Sequence, residues 1–309
     1  MPSRSVTGFA IVLLFGLATC GPEESASPAI PFAPLVDTAL KDPDNPAKIF
    51  HVDFAEVEQK YPLSRSHLTA LTPENIKTLP QEKIDQIYAR ITAGPLPVGS
   101  YRSAIFFAPG GNLKDRVEEL IGGFRGRLAG VTIDTLLLIV GAVWTGKTFY
   151  HDQGVARTAI EDVAPLMPLL GNSESIPTES IPRQGPLRFV LPEKKAWMLF
   201  PAKYYCGQSL IDGRRESVVI DYNYGEDTDG YRANPDALTG RGGMQLRDEI
   251  RMVRPGFYLG RAYVGRMFLL DFTLYDESLA ERERAGFAAG QPVIDDCWTG
   301  EQATGGISR

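Results

Sequence analysis

The sequence predicts a mainly β fold, α+β overall, in which an antiparallel meander closes into a barrel behind a few short helices. Three observations carry this. The last third of the chain holds successive strand candidates at Ala196–Tyr205, Ser217–Tyr224, Leu246–Val253, Phe257–Val264 and Met267–Tyr275. Turn-forming pairs such as Asp212-Gly213 and Pro255-Gly256 sit between neighbours, as hairpins require. Large apolar or aromatic side chains recur at every second residue, in Val218, Ile220, Tyr222, Tyr224 and again in Phe268, Leu270, Phe272, Leu274. No helix long enough for a parallel crossover lies between these strands, so they join as an up-and-down sheet.

The elements follow in order. Gly8–Ala18 is an apolar run of signal-peptide length, too short to span a membrane as a mature helix. It ends in Leu17-Ala-Thr-Cys20 and resembles a bacterial lipoprotein signal, which implies cleavage before Cys20 and lipid on its thiol. Gly21, rather than Asp, follows the cysteine and implies the periplasmic face of the outer membrane. The expected organisation is a signal peptide at 1–19, a lipidated tether at 20–60, a helical segment at 61–94, a barrel domain at 95–280 and a C-terminal tail at 281–309. The tether's Pro, Ser, Ala and Asp content suits an extended spacer.

Within the helical segment, Thr72-Pro73-Glu74-Asn75 supplies an N-cap, a proline at the first helical position and an acidic first turn. Pro80 divides the segment, and Ile84, Ile87, Tyr88 and Ile91 form an apolar stripe beyond it. From Tyr101 onward the expectation is a strand at 103–107, a helix at 112–123, strands at 135–144 and 147–151, and a proline-broken apolar stretch at 160–170.

Gly141–Thr148 spells G-x-x-x-x-G-K-T, the letters of a phosphate-binding loop. Such a loop must open a helix whose N–H groups face the phosphates. Here Phe149 and Tyr150 follow, which favour a strand, and Val143 and Trp144 are bulky where backbone must wrap a phosphate. The context does not support nucleotide binding. Trp144-Thr-Gly146-Lys147-Thr-Phe149 instead resembles the Trp-x-Gly-Lys-x-Phe core of the GXWXG family of lipocalin-like proteins, and Phe200-Pro-Ala-Lys-Tyr-Tyr205 with Leu210-Ile-Asp212 resembles a segment that accompanies it. The resemblance covers residues 135–276. It implies a lipocalin-like barrel with Trp144 packed at a closed end and a cavity for an apolar or amphipathic ligand, and it implies no particular activity.

Net charge is −6 with a pI near 5.3, which argues against nucleic acid as a partner. The expected partners are the membrane, through the anchor, and a lipid-like small molecule. No cofactor and no metal are expected. His151 is an isolated histidine beside the motif, and one histidine does not make a metal site. Cys206 and Cys297 are either one disulfide closing a long loop or two free buried thiols.

One strand carries the clearest polar signal. In Leu246–Met252, Arg247, Glu249 and Arg251 share one face, while Asp248 shares the other with Leu246, Ile250 and Met252. If the apolar face is interior, Asp248 is an inward carboxylate that needs a cation such as Lys203 or Arg215. The candidate ligand-binding set is therefore Trp144, Lys203, Tyr205, Arg215, Tyr222, Asp248 and Tyr263. The first function expected is a tethered barrel that binds or carries a lipid-like ligand. The alternatives are an enzyme acting on a lipid, acyl or polyketide-like substrate in the same cavity, and a structural envelope lipoprotein whose barrel is solid.

Overall fold

The computed structural model describes residues 30–34, 53–107, 146–170, 176–183, 190 and 192–300. Cys20, Trp144, the helix expected at 112–123 and the strand expected at 135–144 lie outside these residues. Strands β1 (Gly99–Phe106), β2 (Gly146–Tyr150), β3 (Val155–Ile160), β5 (Lys194–Gln208), β6 (Glu216–Asp221), β7 (Leu246–Arg254), β8 (Phe257–Val264) and β9 (Met267–Tyr275) form an antiparallel ring. Each pairs with its neighbour in this order, β9 returns to β1, and β3 pairs with β5 from Val155↔Lys203 to Ile160↔Trp197. Closure leaves no open edge in the ring. The short β4 (Thr178–Ile181) pairs with the first residues of β5.

Val155–Ile160, where no strand is expected above, is a full barrel strand introduced by Gly154 in the left-handed conformation, φ 60°. Its two alanines have weak strand propensity, and partners on both sides override that. Conversely, the strand expected to reach Tyr224 stops at Asp221. A 3₁₀ turn takes over at Tyr222–Asp227, where the Asp221 carboxylate accepts from the Asn223 N–H at 2.9 Å.

Four helices cover one side of the barrel: α1 (Phe54–Lys60), α2 (Arg65–Ala70), α3 (Pro73–Ile76) and α4 (Gln81–Ala89). Asp53, Ser64 and Thr72 cap the first three with their side-chain oxygens, and Pro73 opens α3 as its letters predict. Leu71, Ile76, Ile84, Ile87 and Tyr88 pack with Val253, Phe257 and Leu259 of the barrel's outer face into a second apolar core. Strands β7 and β8 are therefore buried on both faces almost throughout. At the β7–β8 turn Gly256 has φ 76°, and a Cβ there would stand 2.6 Å from the Ala280 nitrogen of α5 (Glu277–Ala288).

Helix α1 starts at Phe54, within the stretch expected as tether, and Ile30 is buried against the helices. Helix α5 crosses the boundary at 280, and the segment beyond it returns to the barrel. Asp295 Oδ1 accepts from the Gly94 N–H and Asp296 Oδ2 from the Leu96 N–H, both at 2.7 Å. The inward Tyr258 and Tyr204 donate their hydroxyls to the carbonyls of Pro95 and Pro97. Residues 93–98 and 293–298 thus close one mouth of the barrel.

Cys297 holds this closure covalently through a disulfide to Cys206 of β5, Cα–Cα 5.3 Å, across a sequence separation of 91. Cross-links that close long loops restrict the unfolded chain most, and loss of a native one costs about 2–5 kcal/mol. Reduction, or Cys206→Ser with Cys297→Ser, is expected to lower the urea midpoint and, by releasing the unfolded chain, to steepen the slope. A midpoint indifferent to reductant would show that the bridge adds nothing to stability.

Candidate functional site

Alternation places Lys147 and Phe149 of β2 on the same face, and both point inward. Lys147 lies between Tyr101 of β1 and Thr158 of β3. Across the interior, Asp248 of β7 stands between Ile220 and Ala262. Tyr222 enters from the turn after β6. Lys147 Nζ is 3.2 Å from Asp248 Oδ2 and donates to the Tyr222 hydroxyl, which in turn approaches Asp248 Oδ2 at 3.4 Å. The Lys147 and Asp248 side chains are 1% and 0% exposed. The ammonium also sits 5.1 Å from the Tyr222 ring centroid and 5.9 Å from that of Phe272.

Electrostatics follow from this geometry. Burial pulls the Lys147 pKa down, but Tyr222 and Asp248 outweigh it and raise the net value, so the amine stays charged. Burial raises the Asp248 carboxyl, with Lys147 and Tyr222 opposing. Tyr222 is pushed up to about 12, mainly by burial. Asp248 Oδ1 is buried and has no hydrogen-bond partner.

The described side chains around the cluster are closely packed. Val218, Ile220, Ile250, Ala262, Phe272 and Leu274 are all fully buried. Phe272 packs directly on Gly260, where an added Cβ would stand 2.3 Å from the ring. The cluster can hold a charge and fix how β2, β6 and β7 face one another. As built, it offers a substrate no approach between described side chains.

The sequence-predicted set does not converge. Trp144 lies outside the described residues. Of the others, Tyr222 and Asp248 meet inside the barrel. Lys203 points outward and donates to the Gln153 carbonyl at 3.4 Å. Tyr205 is at the surface, where its hydroxyl donates to Asp221 Oδ2 at 2.9 Å. Arg215 is buried on the helical side and pairs with Glu58 of α1. Tyr263 faces outward from β8, edge-on to Phe268 with ring centroids 6.2 Å apart. Neither Lys203 nor Arg215 is the partner of Asp248. Strand parity puts Lys203 on the wrong face, and Arg215 precedes β6 outside the ring. Lys147 is the partner, and its spacing of two from Phe149 is the signal that identifies it.

A second polar cluster lies between barrel and helices. Arg251, fully buried, donates from Nη1 to Asp212 Oδ2 at 2.7 Å and to the Tyr88 carbonyl at 3.0 Å, and from Nε to Ser217 Oγ at 3.0 Å. Arg261 pairs with Asp85 of α4 and lies 3.9 Å from Asp271. Glu249 accepts from Ser209 Oγ at 2.8 Å and the Leu210 N–H at 2.9 Å. Burial raises the Asp212 pKa, but Arg214 and Arg251 more than reverse this and hold it below the ordinary carboxylate value.

Among the described residues, Cys206, Glu216 and Cys297 bring metal-type ligand atoms within 4.8 Å of one another, but the two sulfurs are bonded to each other and offer no thiolate. His151 is half exposed in the turn after β2, 3.9 Å from Asp152.

Burial also raises the phenols of Tyr88, Tyr101, Tyr258 and Tyr263, and that of Tyr204 to about 12. A raised folded-state pKa contributes stability that is complete below the unfolded value of about 10 and is lost as pH rises through the folded value. Base should therefore unfold the protein cooperatively, with tyrosinate absorbance and loss of circular dichroism rising together. Phenols that titrate at about pH 10 in a still-folded protein would contradict the packing described here.

A scan against protein-family models, a search of curated proteins and a search of solved structures each returned no match.

Proposed function

We propose that this chain is a membrane-tethered structural protein of the cell envelope whose barrel is solid and whose outer surface, not its interior, meets its partner. One observation carries the proposal: inward-facing side chains on strands all round the ring are buried against one another, and the inward charge at Lys147 is neutralised within the barrel. A lipid carrier needs a cavity of several hundred cubic ångströms, and this packing favours the solid alternative. The tether comes from the sequence: Cys20 with its apolar leader and the proline-rich stretch behind it suit a lipid anchor at the periplasmic face of the outer membrane. Among the described residues no helix is long and apolar enough to cross a membrane. On the outer surface, Tyr205 and Tyr224 are 36% and 43% exposed and meet edge to face at 6.5 Å. Arg241 lies 5.1 Å from the Tyr224 ring centroid, and this aromatic pair suits a protein contact.

Titration with an apolar fluorescent probe, followed by competition with a long-chain fatty acid, tests the proposal. No saturable stoichiometric binding is expected. One equivalent of probe displaced by the fatty acid would replace the solid barrel with the carrier.

One observation favours a second reading, an enzyme acting on an acyl or polyketide-like substrate: the orphan Oδ1 of Asp248 beside a charged lysine. That reading requires a turnover which Asp248→Asn abolishes in a folded protein. A turnover retained by the variant excludes it.

A further inference from the structure

Residues Ile30–Pro34 read Ile-Pro-Phe-Ala-Pro. The two prolines fix φ and remove two N–H groups, so the stretch is suited to an extended course and ill suited to a helix. It lies against α4. The Gln86 side chain reads both backbone groups of Ala33: Oε1 accepts from its N–H at 2.9 Å and Nε2 donates to its carbonyl at 3.2 Å. Arg90 Nη1 donates to the Pro31 carbonyl at 2.7 Å while its Nε is held by the Gln86 carbonyl at 2.7 Å. The Phe32 ring is flanked by Lys83 Nζ at 4.9 Å and the Arg90 guanidinium at 5.5 Å from its centroid. Ile30 is buried in the core shared by the helices and the barrel wall.

These contacts are those of a peptide-recognition groove. Backbone groups are read by a paired amide, as a neighbouring strand would read them, and an apolar and an aromatic side chain provide selectivity. Gln86 and Arg90 are 2% and 8% exposed, so the groove is built from nearly buried polar side chains with the segment in place. We propose that the α4 face bearing Lys83, Gln86 and Arg90 is a binding groove for an extended, proline-bracketed aromatic peptide. Its occupant is this chain's own Ile30–Pro34, which acts as a detachable clasp.

The clasp changes how far the barrel stands from the N-terminal end. Cys20 to Ile30 is a step of ten residues, at most about 35 Å when fully extended, whereas Cys20 to Asp53, the cap of α1, is a step of 33, at most about 115 Å. Release therefore lengthens the reach about threefold. The reach argument rests on the proposed anchor at Cys20, and the clasp itself does not.

Amide hydrogen exchange on the full chain tests the clasp. The Ala33 N–H is expected to exchange at least about tenfold more slowly than its intrinsic rate, and Gln86→Ala should return it to that rate while barrel amides keep theirs. An Ala33 amide already at its intrinsic rate in the unmodified chain overturns the proposal. A second measurement tests the groove separately, using a synthetic peptide of residues 28–36 and the full chain with Ile30→Ser and Phe32→Ser. The peptide should bind this variant saturably and the unmodified chain at least about tenfold more weakly, because there the groove is filled. Equal binding to both, or none to the variant, would overturn it. Neither measurement depends on lipid at Cys20 or on a solid barrel, so failure here is distinguishable from failure of the proposed function.

Discussion

Replacing Lys147 with Met is expected to destabilise the protein by about 3–5 kcal/mol, because it leaves the Asp248 carboxyl fully buried without its cation. Asp248→Leu should cost a similar amount by stranding the ammonium. The double variant is expected to recover most of the loss, since replacing a whole buried pair with apolar residues is often neutral or stabilising. Urea unfolding of the four proteins gives the coupling energy as a double-mutant cycle. The pH dependence has a definite sign. Without Lys147 only the Tyr222 hydroxyl opposes the effect of burial, and the folded-state pKa of Asp248 rises further. A raised carboxyl favours the fold in acid and loses that contribution as pH rises through its folded value, so the deficit of Lys147→Met should shrink as pH falls. Single variants that each cost under about 1 kcal/mol would mean that water reaches the pair and that the interior is not dry.

Arg251→Met is expected to have the second large effect, about 1.5–3 kcal/mol, by removing one of the two arginines that hold Asp212 and the donor that joins Ser217 and the Tyr88 carbonyl. Arg251→Lys should rescue little, since one ammonium cannot reproduce a planar fork that also lies 4.5 Å from the Tyr88 ring centroid. The loss should concentrate where the helices meet the barrel, with amides of α4 losing protection before those of β8 and β9. Asp212 adds an acid-side signature. Its pKa is depressed, so its contribution is present above the ordinary carboxylate value and lost as pH falls through the folded value. If α4 and the barrel lose protection together and Arg251→Lys is fully stable, the helices are not a separately held layer.

Much of the architecture was legible because alternation and turns are local signals. The last strands could be placed from Val218 to Leu274, and their order in the ring follows their order in the chain. What could not be read depended on distant partners. Val155–Ile160 mixes three β-branched residues with two alanines and an arginine in no clean alternation, and becomes a strand because β2 and β5 flank it. The charged face of β7 looks like a solvent face in one dimension, yet Glu249 and Arg251 are buried under helices that bring Asp85 and Glu58 of their own.

The candidate site was half legible. Parity correctly turned Asp248 inward. The same rule applied to Phe149 would have turned Lys147 inward with it, but a lysine in a phosphate-loop string draws attention to its letters rather than to its strand. The choice between a disulfide and free thiols needed the Cα distance of 5.3 Å, which no spacing in sequence supplies.

The central claim is that this barrel is solid. Native mass spectrometry of the mature protein recovered from cell envelopes, with organic extraction of whatever accompanies it, tests that claim most directly. The expected result is a mass equal to the chain and its covalent modifications, with nothing further released from the folded domain. A stoichiometric lipid or acyl species, freed only on unfolding, would contradict it and place a ligand where Lys147, Tyr222 and Asp248 now close the interior.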